Sequence, residues 1–168
     1  MRRAQGTIDV FTFKEGLLAV AAHDLQLRFE QFQITLEGEA VRAEFPFASL
    51  KLIGPVENGV ARPEQYGADK RAEVERAMNE DILHTAQNPR AVFSGRAVPS
   101  GKGFNVSGNL ELAGRSAPLT FEVQEAGGEY RGEVEIVPSR WGVAQYKAML
   151  GTIRLQDVVR VRFALRDA

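Results

Sequence analysis

Between residues 88 and 165 the chain alternates uncharged and polar side chains with a period of two. Ala91, Phe93 and Gly95 interleave with Val92, Ser94 and Arg96. Val106, Gly108 and Leu110 follow, then Leu119, Phe121 and Val123, and finally Val159, Val161, Phe163 and Leu165. This period predicts antiparallel strands with one dry face and one wet face. Residues 7–13 form an earlier candidate strand. Leu25, Leu27 and Phe29 slip phase against Phe32, Ile34 and Leu36, as a β-bulge at Glu30-Gln31 would produce. Val41, Ala43, Phe45 and Phe47 resume the alternation after a turn at Gly38-Glu39. Turns at 99–103, 114–115 and 126–128 carry glycine, which takes positive φ without a Cβ penalty, and predict hairpins.

A different period marks residues 68–83. Val74, Met78 and Ile82 recur at i, i+4 and i+8 among charged neighbours, which predicts one amphipathic helix. Residues 16–22 read as a short helix or a tight crossover, 54–66 as a surface excursion, and 139–156 as an irregular stretch holding the only Trp. The expected fold is all-β: an eight-stranded antiparallel up-and-down barrel with one α-helix after the third strand. Closing the sheet removes its edges and gives the dry face an interior.

Composition narrows the function classes. The 168 residues suit one domain with one sizeable core. Basic and acidic residues, 21 against 22, nearly cancel, so no global field favours nucleic acid. Cysteine is absent, which removes disulfides, thiolate chemistry and Cys-based metal sites. The longest apolar runs fall short of the roughly 7–15 residues of a signal peptide core and the ~20 of a membrane span. That predicts no transmembrane segment and a cytoplasmic protein, or a periplasmic one if a leader has been removed.

Candidate chemistry is sparse. His23, beside Asp24, and His84, at the helix end, have no ligand spacing, so no metal or other cofactor is expected. Asp24 reads as a local hydrogen-bonding partner of His23, and His84 as a cation-capable helix C-terminus. No serine lies in a nucleophile motif, and Gly101-Lys102-Gly103 lacks the frame of a phosphate-cradling loop. No enzyme is expected. The ten Phe fill a core on one reading and line a bore around an elongated apolar ligand on another. Trp141, Tyr146 and Met149, beside Arg140 and Lys147, suit either a cavity mouth or a plug of the barrel end.

Several phrases resemble the YceI-like family of lipocalin-like, polyisoprenoid-binding barrels. Residues 74–84 and 88–95 are similar to that family's helix, Pro-containing turn and Phe-Ser strand. Residues 104–120 resemble its central hairpin, and 138–143 its Ser/Arg–aromatic–Gly turn. Residues 157–161 resemble its closing strand, while His23 and residues 29–38 resemble its early His and second strand. The resemblance spans nearly the whole chain. It implies non-catalytic binding, carriage or storage of a long-chain isoprenoid lipid, a polyprenyl phosphate or a quinone tail, in the bore.

On that implication the tail would lie against Phe29, Phe45, Phe93, Phe121 and Phe163. Trp141, Tyr146 and Met149 would form the mouth, with Arg140 or Lys147 near a polar head. The alternative is a ligand-free, solidly packed barrel acting as a protein-interaction module, as a monomer or a homodimer. A hydrolase or isomerase built on His23-Asp24 is a third reading and would need His23 to face a cavity.

Overall fold

The computed structural model describes residues 1–17, 19 and 22–168, with the side chain of Met149 outside the description. Its strands are β1 (Arg2–Glu15), β2 (Asp24–Phe29), β3 (Gln33–Glu37), β4 (Ala40–Pro46), β5 (Leu50–Glu57) and β6 (Val60–Ala61). After the helical region come β7 (Arg90–Ser100), β8 (Gly103–Leu112), β9 (Arg115–Ala126), β10 (Glu129–Ile136), β11 (Lys147–Ala148) and β12 (Ile153–Asp167). One sheet joins them all, and pairing of β12 with β1 closes it into a ring. The ring contains β1, β3, β4, β7, β8, β9, β10 and β12, so it is the expected eight-stranded antiparallel barrel. β2, β5, β6 and β11 extend the sheet outside it.

β1 shows how the ring and its extension share one strand. Along one edge it pairs with β12 from Ala4↔Asp167 to Glu15↔Arg154. Along the other it pairs first with β3, at Arg2↔Leu36, and farther on with β2, at Asp9↔Arg28. The predicted bulged strand is therefore two strands with a break at residues 30–32. A matching break at Phe47–Ser49 separates β4 from β5. Ser49 ties the two bends together: its Oγ donates to Gln31 O at 2.8 Å, and its carbonyl accepts from Glu30 N at 2.9 Å. Buried polar groups need such partners, and Ser49 is buried.

The helix α1 (Ala68–Arg76) runs on into a π-helical turn, Ala77–Ile82. It serves the edge of β5. Arg71 donates to Leu52 O at 2.7 Å and Ile53 O at 2.9 Å, while Glu75 accepts from Leu52 N at 3.1 Å. Side chains thus satisfy edge groups that would otherwise be open to another strand. The predicted apolar stripe holds: Met78 is buried and Val74 packs on the core. His84 follows with φ 49°, the left-handed conformation that ends helices, and its carbonyl accepts from Gln87 N and Asn88 N. The predicted short helix or crossover at 16–22 includes residues 18, 20 and 21, which lie outside the described residues.

Turn chemistry places the remaining strands. Gly127 and Gly128, with φ of 59° and 79°, give the β9–β10 hairpin two consecutive left-handed residues, as a type I′ turn requires.

Candidate functional site: an apolar bore with a polar end

Alternation sends odd-numbered residues of β4, β7, β9 and β12, and even-numbered residues of β1, β3, β8 and β10, to the inside. They enclose a cavity of ≈ 360 Å³. All five predicted Phe line it: Phe29, Phe45, Phe93, Phe121 and Phe163. The rings form two groups. Phe93, Phe121 and Phe163 are linked at centroid separations of 5.7 and 6.1 Å. Phe29 contacts Phe45 at 5.5 Å and Phe47 at 6.2 Å. These are ordinary aromatic contacts, yet they leave the bore hollow.

Three inward glycines explain part of that hollowness. Gly95 on β7 stands opposite Gly108 on β8, and a Cβ on either would come within 2.9 Å of the Phe93 ring tip. A Cβ on Gly132 of β10 would collide with the Phe163 ring. The rings therefore lie along the wall, over backbone, rather than across the lumen.

The cavity has two dissimilar ends. At one, Arg2 and Asp167 line the wall and pair at 3.7 Å, both side chains half-exposed. At the other lie Thr12, Gln145, Tyr146 and Asp157. Asp157 accepts from the backbone N and the hydroxyl of Ser139. Gln145 donates to Leu155 O at 3.1 Å. Thr12 Oγ1 is different: among the described residues it is the one buried side-chain polar atom with no hydrogen-bond partner. Met78, Ile82 and Leu83 add apolar wall from the helical region.

The predicted mouth residues separate. Tyr146 lines the cavity. Trp141 does not: it is 1% exposed, and its indole N–H donates to Leu110 O at 2.7 Å. It sits in a 3₁₀ turn, Pro138–Trp141, as a plug. Arg140 lies 5.2 Å over the Trp141 ring and donates to Pro118 O, away from the cavity. Lys147 is exposed on β11 and is not part of the cavity wall. The Met149 side chain lies outside the described residues.

The sequence reading missed Thr12 because β1 carries apolar residues on both faces. Phe11 and Phe13 point outward, beneath Arg162 and Arg160 of β12 at 4.7 and 5.3 Å. Cationic stems cover these rings, so hydrophobicity alone does not reveal the inner face. The one available signal was register: Ile8, Val10 and Thr12 share a parity.

The histidines lie apart from the bore. His23 packs edge-on against Tyr66 at 5.8 Å, and Asp24 accepts from Lys14 N at 2.8 Å. The expected His23–Asp24 hydrogen-bonding pair is therefore replaced by a backbone anchor on β1. No group of three or more potential metal ligands occurs among the described residues. Within them, no helix is long and apolar enough to cross a membrane.

Comparison with known proteins places this architecture. The YceI-like domain matches residues 5–166. Among solved structures, BcnA of Burkholderia cenocepacia superposes with a TM-score of 0.64 at 17% identity, covering 95% of this chain and 94% of that one. A polyisoprenoid binding domain from Saccharophagus degradans, implicated in plant cell wall breakdown, gives 0.61 at 12% identity, covering 99% and 97%. The YceI protein of Campylobacter jejuni gives 0.56 at 10% identity, covering 83% and 82%. A comparison with curated proteins found no match.

Proposed function

The chain belongs to the YceI-like family, and from that premise we propose that its barrel binds and carries a long amphiphilic isoprenoid lipid. The observation that carries this reading is the hollow, ring-lined cavity of ≈ 360 Å³ inside a closed barrel. Its volume falls within the ~300–1,000 Å³ of small-molecule sites. Phe29, Phe45, Phe93, Phe121 and Phe163 would hold the chain. Each CH₂ taken from water contributes about 0.8 kcal/mol before ordering costs, so affinity would come from burial rather than from polar contacts. The polar end suits a ligand oxygen, because Thr12 Oγ1 has a free hydrogen-bonding position there. Binding, rather than turnover, is what a wall of rings and aliphatic side chains can do.

Native mass spectrometry of freshly purified protein, with organic extraction of bound material, tests the proposal. The expected result is a discrete co-purifying mass with isoprene spacing. A clean apo mass that resists loading with added prenyl lipids would overturn it and favour a protein-interaction barrel.

A further inference from the structure

The barrel wall is not hydrogen-bonded all the way round. β9 pairs with β8 from Gly103↔Gln124 to Leu112↔Arg115, and β10 pairs with β12 from Tyr130↔Leu165 to Ile136↔Val159. Between β9 and β10, however, the ladder holds only at Glu129↔Ala126, Tyr130↔Glu125 and Arg131↔Gln124. Beyond Arg131 the ladder stops, although Glu122 O still lies close beside Gly132. The Pro138–Trp141 turn bounds the gap at its far end, where Arg140 donates to Pro118 O and Trp141 to Leu110 O.

Side-chain chemistry keeps the gap open. Continuing the register would set Glu133 opposite Glu122, and like charges directly opposed destabilise a ladder. Glu133 turns instead to Arg162 at 3.3 Å and Arg160 at 3.7 Å on β12. Pro118 accepts Arg140 from the gap side, so its ring nitrogen, which has no proton, faces the gap too. Proline on such an edge removes a donor that pairing would need.

The gap backs onto the bore. The outer surface here is a hollow of ≈ 810 Å³ that takes in Thr120 and Glu122 of β9 and Glu133 and Glu135 of β10 and runs on over β12 and β1 to Arg162 and Asp9; three of its residues, Phe121, Val134 and Phe163, also line the bore. A bore of ≈ 360 Å³ also holds only a modest length of chain, so a long one needs a way out.

We infer that the β9–β10 seam is a side portal through which an elongated apolar chain passes between solvent and the bore, past Phe121 and Val134. The inference rests on the lipid-binding reading above. Its own test uses the absence of native cysteine. Thr120→Cys with Glu135→Cys places two thiols across the seam, and Ser94→Cys with Asn109→Cys places two across the intact β7–β8 ladder as a control. Each pair is bridged with a short bis-maleimide. Exchange of dansyl-labelled geranylgeraniol is then followed by stopped flow.

Bridging the seam should slow uptake and release by about tenfold or more without changing the amount bound at equilibrium. Bridging the control pair should leave both rates as they were. A bridged seam that exchanges at the unbridged rate would overturn the portal while leaving lipid binding intact. If the unbridged protein takes up no probe at all, the carrier reading fails, and the portal with it. Amide exchange gives a check independent of any ligand. Thr120 and Glu122 should exchange much faster than the amides of β9 that face β8, and equal protection would overturn the open seam.

Discussion

Phe93 and Phe163 show how single residues set the calibre of the bore. Each ring occupies space that a Cβ would take, over Gly95 and Gly108 in one case and Gly132 in the other. Thr12 is the polar counterpart. Its hydroxyl is buried beside the cavity without a partner, and an unsatisfied buried group costs about 1–3 kcal/mol. Thr12→Val should therefore raise the stability of the ligand-free protein by about 1 kcal/mol, read by urea denaturation. The same variant should bind a lipid bearing an oxygen at that depth more weakly. Lower apo stability would show that the hydroxyl has a partner after all.

Tyr66 gives a second residue-scale expectation. Burial, and next the nearby Glu73 charge, raise its phenol above the ordinary value. A raised folded value means that the unfolded chain releases its proton first as pH climbs. The associated stability is complete below the unfolded pKa of about 10 and is lost as pH rises through the folded value. Tyr66→Phe should flatten that alkaline loss in a pH series of thermal melts, and an unchanged slope would place the titration elsewhere.

At the scale of elements, the Pro138–Trp141 turn stops one end of the seam and of the barrel together. Trp141→Phe would remove the 2.7 Å indole donor to Leu110 O while leaving that carbonyl its ladder partner Ala117, an expected loss of about 1 kcal/mol. Lipid affinity should change little, since Trp141 is not on the cavity wall; a large affinity loss would restore it to the mouth. This element also marks where sequence reading ended. The strands, the helix and the five cavity Phe were legible because period-two and i, i+4 spacing report directly which side chains share a face. Trp141 and Arg140 were not, since a 3₁₀ turn has no such period and plug and mouth require the same amphipathic residues. The break between β2 and β3 read as a bulge because Ser49, which fastens it, lies far along the chain. The seam was hidden for the same reason: Glu122 and Glu133 oppose each other only once register is known.

For the whole molecule, closure depends on β1 meeting β12, from Ala4↔Asp167 to Glu15↔Arg154. The chain's ends lie side by side there, with Ala168 N donating to Arg3 O at 2.8 Å. Most other strand pairs are hairpin neighbours that form over short loops. This one must gather nearly the full length of the chain, so loop-closure entropy favours its forming after the hairpins. The consequence concerns time as well as shape. Until the first and last strands have met there is no inside, only a curled sheet with its rings open to water. A chain still being synthesised, or one frayed at either terminus, has nowhere to put a lipid. A ligand selective for the closed barrel favours it over those states by mass action, so occupancy of the bore becomes a record that folding has finished.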